Sequence, residues 1–515
     1  MGIRDEEDLV RESYDRVPYA SASYHHTHPD HLATLALLNG VESAPPERCR
    51  VLELGCSDGG NVIPMALELP ESHFTGIDLS PRQIETGLAN VAELGISNVE
   101  LRIMSILDAG PSLGTFDYVI CHGVFSWVGR DVQEKILALC GALLAPNGIA
   151  YVSYNTLPGW HLRAFVRDVL QQERHGHDDA ARAFELIAFL SDSTARDSDA
   201  WAQILRTTRE QFENWRDDPT YLLHDYFERS NEPLYFRDFM ARATPHGLRY
   251  LGDAESSMNE IDNLGSEVAG RLRALARDAI GEEQYFDLLV NRSFRRTLLC
   301  REGVVLDRVL RPERMRRLHA ASAARPVSAK PDLRAGVPEA FENARGKPFS
   351  TSHPEAKATL VASAEAWPRA IPFDELRARV GITGEAMLAD LLWSFYWSGV
   401  TELHLAPPQC VSGVSDRPRA STLARKQAAR GMMVTTQRRR VLKIDDAAAR
   451  FILQQLDGTR DRAALLRLLD REATAGRLDI TAGDQRVDTS RIPMVLQAVL
   501  DHHLNRLARL ALLVG

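Results

Sequence analysis

The chain has 515 residues, 44% of them apolar and 25% charged, with a formal net charge of −9. That length exceeds what one hydrophobic core supports, so about two to four domains are expected, and the mild acidity argues against a chain that binds nucleic acid throughout. No apolar run is long enough to span a bilayer, and residues 1–10, MGIRDEEDLV, lack the charge order of a signal peptide. Six scattered cysteines with no CxxC pair point to a reducing cytoplasm.

In chain order, the first motif is HHTHPDHL, with His25, His26, His28 and His31. Its spacing is not that of an H-E-x-x-H metal site. Pro29 reads instead as the first turn of a helix capped near His28, and no metal is expected. Residues 50–155 then alternate strand candidates (RVLELG, HFTGIDL, VELRIM, FDYVICHG, GIAYVSYN) with helix candidates (NVIPMALEL, PRQIETGLANVAELG, DVQEKILALCGALLA). Such alternation predicts an α/β fold, a doubly wound parallel sheet covered on both faces.

The turn VLELGCSDGG decides the ligand. A dinucleotide site needs G-x-G-x-x-G and a P-loop needs G-x-x-x-x-G-K-[ST]. Here the glycines fall at Gly55, Gly59 and Gly60, and no Lys follows them. Glu53 inside the strand would repel phosphate but suits a ligand with a positive group. S-adenosyl-L-methionine has an amine and a sulfonium and no phosphate. Glycines without Cβ permit its close approach, and Ser57 replaces a customary middle glycine. Asp78 ends the next strand, roughly twenty residues on, where a carboxylate accepts from ribose hydroxyls. Ser105 and Ile106, after the third strand, would flank the adenine. The expected cofactor contacts are thus Glu53, Gly55, Cys56, Ser57, Gly59, Asn61, Asp78, Leu79, Ser105 and Ile106, with His122 and Gly123 after the fourth strand.

From about Trp160 to Arg301 the pattern is mostly helical. Residues 321–347, rich in Ala, Pro, Arg and Ser, read as a linker. Short helices follow, then the strand-like TELHL, a basic stretch containing Arg438, Arg439, Arg440 and Lys443, and the helices AAARFILQQL, RAALLRLLD and MVLQAVLDHHL. The basic run reads as a solvated face, as do His502 and His503, and nucleic acid is not expected as a partner.

Several of these stretches resemble one family. ESYDRVPYASASYHHTHPDHL, VLELGCSDGGNVIPMA, YVICHGVFSWV and YVSYNTLPGW, with YLLHDYFERSNEPLYFRDFMARATPHGLRYLG, EEQYFDLLVNRSFRRTLLCR and LDGTRDRAALL, are similar to bacterial class I methyltransferases that carry a methyltransferase regulatory domain. That family includes protein-lysine methyltransferases of outer-membrane proteins. The resemblance implies a Rossmann-like class I methyltransferase domain over residues 1–160 with an N-terminal lid. A mostly helical regulatory domain would follow over 161–320, a linker over 321–350 and a winged-helix-like domain over 351–515. It implies methyl transfer from S-adenosylmethionine to a protein lysine. A small-molecule acceptor, or a non-catalytic cofactor-sensing binder, stands as the alternative, and the oligomeric state is left open. Tyr14, Asp15 and Tyr19 would form the lid or a structural arm. His122 would be catalytic or a hydrogen-bonded loop residue, with Gly123 and Phe125 beside the methyl group. Trp127 would wall the pocket or join the core, and Tyr154 and Asn155 would line the acceptor channel.

Overall fold

The computed structural model describes residues 21–172, 179–194, 199–214, 216, 220–228, 230–255, 261–478, 481–482, 485–486 and 492–515. Tyr14, Asp15 and Tyr19 lie outside the described residues.

The five strand candidates form β1 (Arg50–Leu54), β2 (His73–Asp78), β3 (Val99–Ile103), β4 (Phe116–Cys121) and β5 (Leu144–Asn155). Val51, Leu52 and Leu54 are wholly buried, as a strand covered on both faces must be. Between them run α1 (Pro29–Leu38), ahead of β1, then α2 (Val62–Glu68), α3 (Pro81–Leu94) and α4 (Arg130–Leu143). Their ends follow local chemistry. His28 caps α1 by accepting from the Asp30 amide, with Pro29 at the first helical position. Ser80 caps α3, and Gly95 ends it in the left-handed region.

The sheet has seven strands in the order β3-β2-β1-β4-β5-β7-β6. The fold class is therefore the expected Rossmann-like one, but the expectation of a mostly helical middle segment omitted two strands. Within that segment, β6 (Leu248–Asp253) and β7 (Phe294–Arg301) return to the sheet, and β7 pairs antiparallel with β5. The remainder of the segment is helical, with its own small core of Val166, Leu170, Ile187, Phe212 and Tyr226.

The linker expected over 321–350 is instead folded. Arg325–Pro326, Glu339–Glu342 and Pro348–Thr351 form a three-stranded antiparallel sheet. Phe341 is fully buried there, and the buried Lys357 donates to the carbonyls of Arg334 and Val337 at 2.6 and 2.8 Å. Composition suggested a linker because the strands are short and few of their side chains are apolar.

One face of the sheet shares a continuous core with Ile371, Phe373, Leu388, Leu392 and Leu403, so the chain from about 315 to 403 packs onto the seven-stranded sheet. A separate core from Ala420 to Leu513 belongs to a C-terminal module, with its hairpin β8 (Met433–Thr435) and β9 (Val441–Lys443). His503 is buried in that module, contrary to the solvated face expected of it, while His502 is exposed. Among the described residues no helix is long and apolar enough to cross a membrane.

The returning strand is fixed by charge. Arg295, fully buried, donates to both carboxylate oxygens of Asp287 at 2.7 and 2.9 Å and to Glu283 at 2.7 Å. Removing one partner of a buried ion pair strands the other charge. Arg295→Ala is expected to cost about 3–5 kcal/mol, seen as a lower urea midpoint of the full chain by circular dichroism. A shift equivalent to under about 1 kcal/mol would show that the cluster is not structural.

Candidate active site

The carboxyl ends of β1, β2, β4 and β5 meet at the point where strand order reverses, which is where doubly wound sheets bind ligands. β1 ends in a turn of unusual backbone: Gly55 has φ 73°, Ser57 53° and Gly59 78°. Two of these are glycines, which occupy that region at no cost. Ser57 is held there by its amide, which donates to Asp78 Oδ2 at 2.8 Å. The other oxygen, Asp78 Oδ1, accepts from the Ser80 amide at 2.9 Å. A Cβ on Gly76 would meet Cys56 Sγ at 2.7 Å, and one on Gly87 would meet the Asp58 carbonyl at 2.6 Å. These two glycines, missed in the sequence, let β2 and α3 close up behind the turn.

Glu53 is 3% exposed. Its Oε1 accepts from Asn61 Nδ2 at 2.8 Å, and Asn61 Oδ1 in turn accepts from the amide of Tyr24 at 3.0 Å. Thr27 Oγ1 bonds the same Asn61 side chain. Burial pushes the Glu53 carboxyl up to about 8; the Asn61 amide opposes the shift, and the Asp78 charge adds to it. Among the described residues, Glu53 Oε2 and Ser57 Oγ are buried with no hydrogen-bond partner. Unsatisfied buried acceptors beside a glycine-lined turn fit a ligand carrying an ammonium and hydroxyls, as S-adenosylmethionine does. Ser105 is buried and caps a short turn over Ile106–Asp108, while Leu79 is half-buried beyond Asp78. These sequence-predicted residues therefore gather around one strand-end turn.

After β4, His122 Nδ1 lies within hydrogen-bond distance of the Tyr151 hydroxyl (3.0 Å) and Ser153 Oγ (3.1 Å). Ser153 Oγ also accepts from the Gly123 amide at 2.9 Å. The Tyr24 ring packs on His122 with centroids 4.0 Å apart. Burial, reinforced by the charge of Arg296, lowers the His122 imidazole to about 3. It is therefore neutral at physiological pH and a weak base.

Strand parity separates the remaining candidates, because alternate side chains point to opposite faces. Tyr151 and Ser153 share a face with Arg296 of β7, which lies opposite Ser153. Arg296 pairs with Glu255 and lies over Phe294. Tyr154 points the other way: it is 1% exposed, stacks on Phe239 and bonds Thr297 Oγ1 at 3.0 Å. Its side chain thus packs into the core on the face away from His122. Phe125 is likewise wholly buried, against Tyr154 and Phe239, rather than beside the methyl position. Asn155 is buried, with its amide on Ser126 Oγ and its side chain on Asn231. Trp127 is half-buried, edge-on to Trp160. Arg296, Phe294 and Tyr24 were not anticipated; the signal for the first two was the alternation in FRRTLLCR just after a helix-ending Asn291.

The histidine motif packs as three rings, His25–His26 at 3.7 Å and His26–His31 at 5.6 Å, while His28 caps α1. Burial lowers His25, His26 and His31, with neighbouring positive charges adding for the first two. Among the described residues, no group of three or more His, Cys, Asp or Glu is placed to hold a metal. Arg438 and Arg439, expected on a solvated face, are buried in ion pairs; only Arg440 and Lys443 of that run are exposed.

Comparison with known proteins agrees with this geometry. Residues 52–150 match a methyltransferase domain, 218–301 a predicted methyltransferase regulatory domain, and 416–512 the PKMT C-terminal winged helix domain. An uncharacterized protein of Rickettsia prowazekii (strain Madrid E) is 32% identical over 527 residues, covering 97% of this chain and 93% of the relative. The structure of PKMT2 from Rickettsia typhi in complex with AdoHcy is 30% identical, with a TM-score of 0.88 over 97% of this chain and 100% of that one. A second structure of PKMT2 from Rickettsia typhi gives 0.87 over the same shares.

The raised Glu53 carboxyl makes stability depend on pH. The native state keeps a proton that the unfolded chain, near 4.5, releases. Stability contributed by the proton is complete below about 4.5 and is lost as pH rises through about 8. Glu53→Gln mimics the protonated form. It should gain stability over the wild type progressively between these two values and hold a constant margin above. Unfolding midpoints at several pH values measure this, and a margin that does not change with pH would place Glu53 in a solvated setting.

Proposed function

The chain belongs to the family of S-adenosylmethionine-dependent methyltransferases that join a catalytic domain to a predicted methyltransferase regulatory domain and a PKMT winged helix domain, and from that premise we propose that it methylates lysine side chains of a protein. The observation that carries this reading is the full-length likeness to PKMT2, which extends through the middle and C-terminal modules as well as the cofactor fold. A cytoplasmic setting belongs to the same reading and is supported by six free cysteines.

In this reading Asp78 accepts from the ribose, Ser105 and Ile106 flank the adenine, and Glu53 faces the positive end of the cofactor. Gly55 and Gly59 let the backbone approach, and Ser57 Oγ finds the partner it lacks. When bound, S-adenosylmethionine supplies a methyl group on a cationic sulfur, open to displacement by an amine nitrogen. The chain must then orient the amine, exclude water and keep it neutral.

His122 does not take the proton, because its imidazole is already too weak a base. It serves as a fixed neutral wall, locked by Tyr151, Ser153 and the Tyr24 ring. Neutrality comes from the surroundings. Burial disfavours the protonated form of His122, His25 and His26, and nearby positive charge adds to it, from Arg296 at His122 and from Arg440, neighbouring histidines and Arg296 at His25 and His26. An ammonium brought among them is discharged by the same two effects.

His122→Gln, which keeps a neutral polar group, should retain activity within about tenfold, whereas loss of a general base costs about 10²–10⁴-fold. A loss in the latter range would assign His122 the proton. Incubation of the full chain with methyl-labelled cofactor and candidate proteins tests the acceptor. Label should appear in polypeptide and vanish when the candidate's lysines are acetylated beforehand. Label confined to small metabolites would replace the lysine reading with the small-molecule one.

A further inference from the structure

The winged-helix hairpin turns through Thr436–Arg440, and Arg439 sits in the left-handed region at φ 60°. This aims its side chain away from its own module. Arg439 Nη1 donates to Asp30 Oδ2 at 2.8 Å, and its Nε donates to Glu68 Oε2 at 2.9 Å. All three groups are buried or nearly so, with side-chain exposures of 7% for Arg439, 0% for Asp30 and 15% for Glu68.

Both carboxylates lie on elements that run into the cofactor site. Asp30 opens α1, whose preceding residues 24–28 form a strap. Along the strap, the Tyr24 ring packs on His122, the Tyr24 amide donates to Asn61, and Thr27 bonds Asn61 again. Glu68 closes α2, the short helix whose N-cap is Asn61, the residue that holds Glu53. Arg439 thus ties together the far end of the strap and the far end of the helix, and both near ends meet at Asn61. His28, between them, lies 3.3 Å from Glu68. A cofactor seated against Glu53 and Ser57 requires this arrangement to be fixed, and the strap is only as fixed as its anchor.

We propose that Arg439 of the C-terminal winged helix is a positioning residue for the cofactor site, acting through the Asp30 strap and the Glu68 helix on Asn61, Glu53 and Tyr24. The module raises cofactor affinity from a distance by preorganising that corner. The coupling is reciprocal, as any linkage of binding equilibria must be: bound cofactor tightens the hairpin. The proposal goes beyond the lysine reading and does not depend on it, because it concerns cofactor binding alone.

AdoHcy is the probe, used on the full chain. In the first arm, hydrogen exchange of wild-type protein is followed over residues 433–443 with and without saturating AdoHcy. Slower exchange in the Gln437 and Arg439 amides is expected on binding. In the second arm, AdoHcy affinity is measured by calorimetry in a variant combining Arg439→Gln, Asp30→Asn and Glu68→Gln. It neutralises all three charges together, and the amides introduced at positions 30 and 68 keep polar groups for His404, the Ala406 amide and His28, which also meet these positions, so the fold is retained while the anchor is weakened. A fall in affinity of at least about fivefold, with an unchanged melting temperature, is expected. Arg430→Gln is the control. It cuts a different contact of the winged helix, to Glu93 and Asn90 on α3, and should leave affinity within about twofold. Unchanged exchange in the hairpin overturns the proposal. So does unchanged affinity in the triple variant, or an equal fall in Arg430→Gln, which would make docking in general the cause. Misplacement of the cofactor site itself would show separately, as intact AdoHcy affinity in Asp78→Asn.

Discussion

Ser57 occupies a backbone region that costs a non-glycine residue about 1–2 kcal/mol, and the Asp78 carboxylate holds it there through the Ser57 amide. Asp78 Oδ1 meanwhile accepts from the Ser80 amide, close to the start of α3. One carboxylate therefore fixes the distance between the ends of β1 and β2, the angle of the turn and the entry of the next helix. With Gly55 and Gly59 on either side, the turn presents backbone where side chains would otherwise stand. Among the described residues, Ser57 Oγ, placed by that constraint, and Glu53 Oε2 on the adjoining strand lack hydrogen-bond partners.

Around this turn the site withdraws charge from its titratable groups. Burial drives Glu53 toward its protonated form and His122, His25, His26 and His31 toward their neutral ones. Among the described residues Arg296 and Arg440 are cations set near them, and Arg296 is partnered by Glu255. Arg296 arrives from β7, which rejoins the sheet some 140 residues after β5 in register with Ser153. The middle segment thus does more than cover the catalytic domain. It extends the sheet beyond β5 and supplies Arg296 and Phe294 to a wall whose other members come from β4, β5 and the N-terminal strap. The buried Arg295, adjacent to Arg296 but facing the opposite core, fixes the strand that presents them.

The parts that were legible in the sequence are those whose signal is local. Five parallel strands, their crossover helices, the caps at His28 and Ser80 and the glycine turn could all be read from spacing and turn chemistry. So could the cluster of Glu53, Asn61 and Asp78, because each lies at a strand or helix end defined by the motif. What stayed hidden is set by distant pairing. FRRTLLCR alternates like an edge strand, but only its register on β5 shows that Arg296 joins His122 while Arg295 turns away. Tyr154 reads as a channel residue from its position at the end of β5, and parity sends it into the core against Phe239. The strands at 325–351 were masked by a linker-like composition, and their burial depends on Phe341 and Lys357. A run of three arginines looks solvated unless the carboxylates that meet it are known, and those stand 36 to 409 residues away in sequence.

That last case bears on what the winged helix is for. In nucleic-acid recognition, a basic hairpin earns its affinity by meeting phosphates. Here Arg438 lies over Trp367 and pairs with Glu402, and Arg439 pairs with Asp30 and Glu68. Turning Arg439 outward would strand a carboxylate beneath the surface, because Asp30 is fully buried, at about 3–5 kcal/mol for the buried pair broken. A phosphate contact in salt water returns less than that. The exposed remainder, Arg440 and Lys443, is itself engaged with Glu402 and Asp445. The charges that would make this hairpin a reader of nucleic acid are the ones that bind it to the catalytic domain, so the module's electrostatic effort is directed inward, at the corner that holds Asn61.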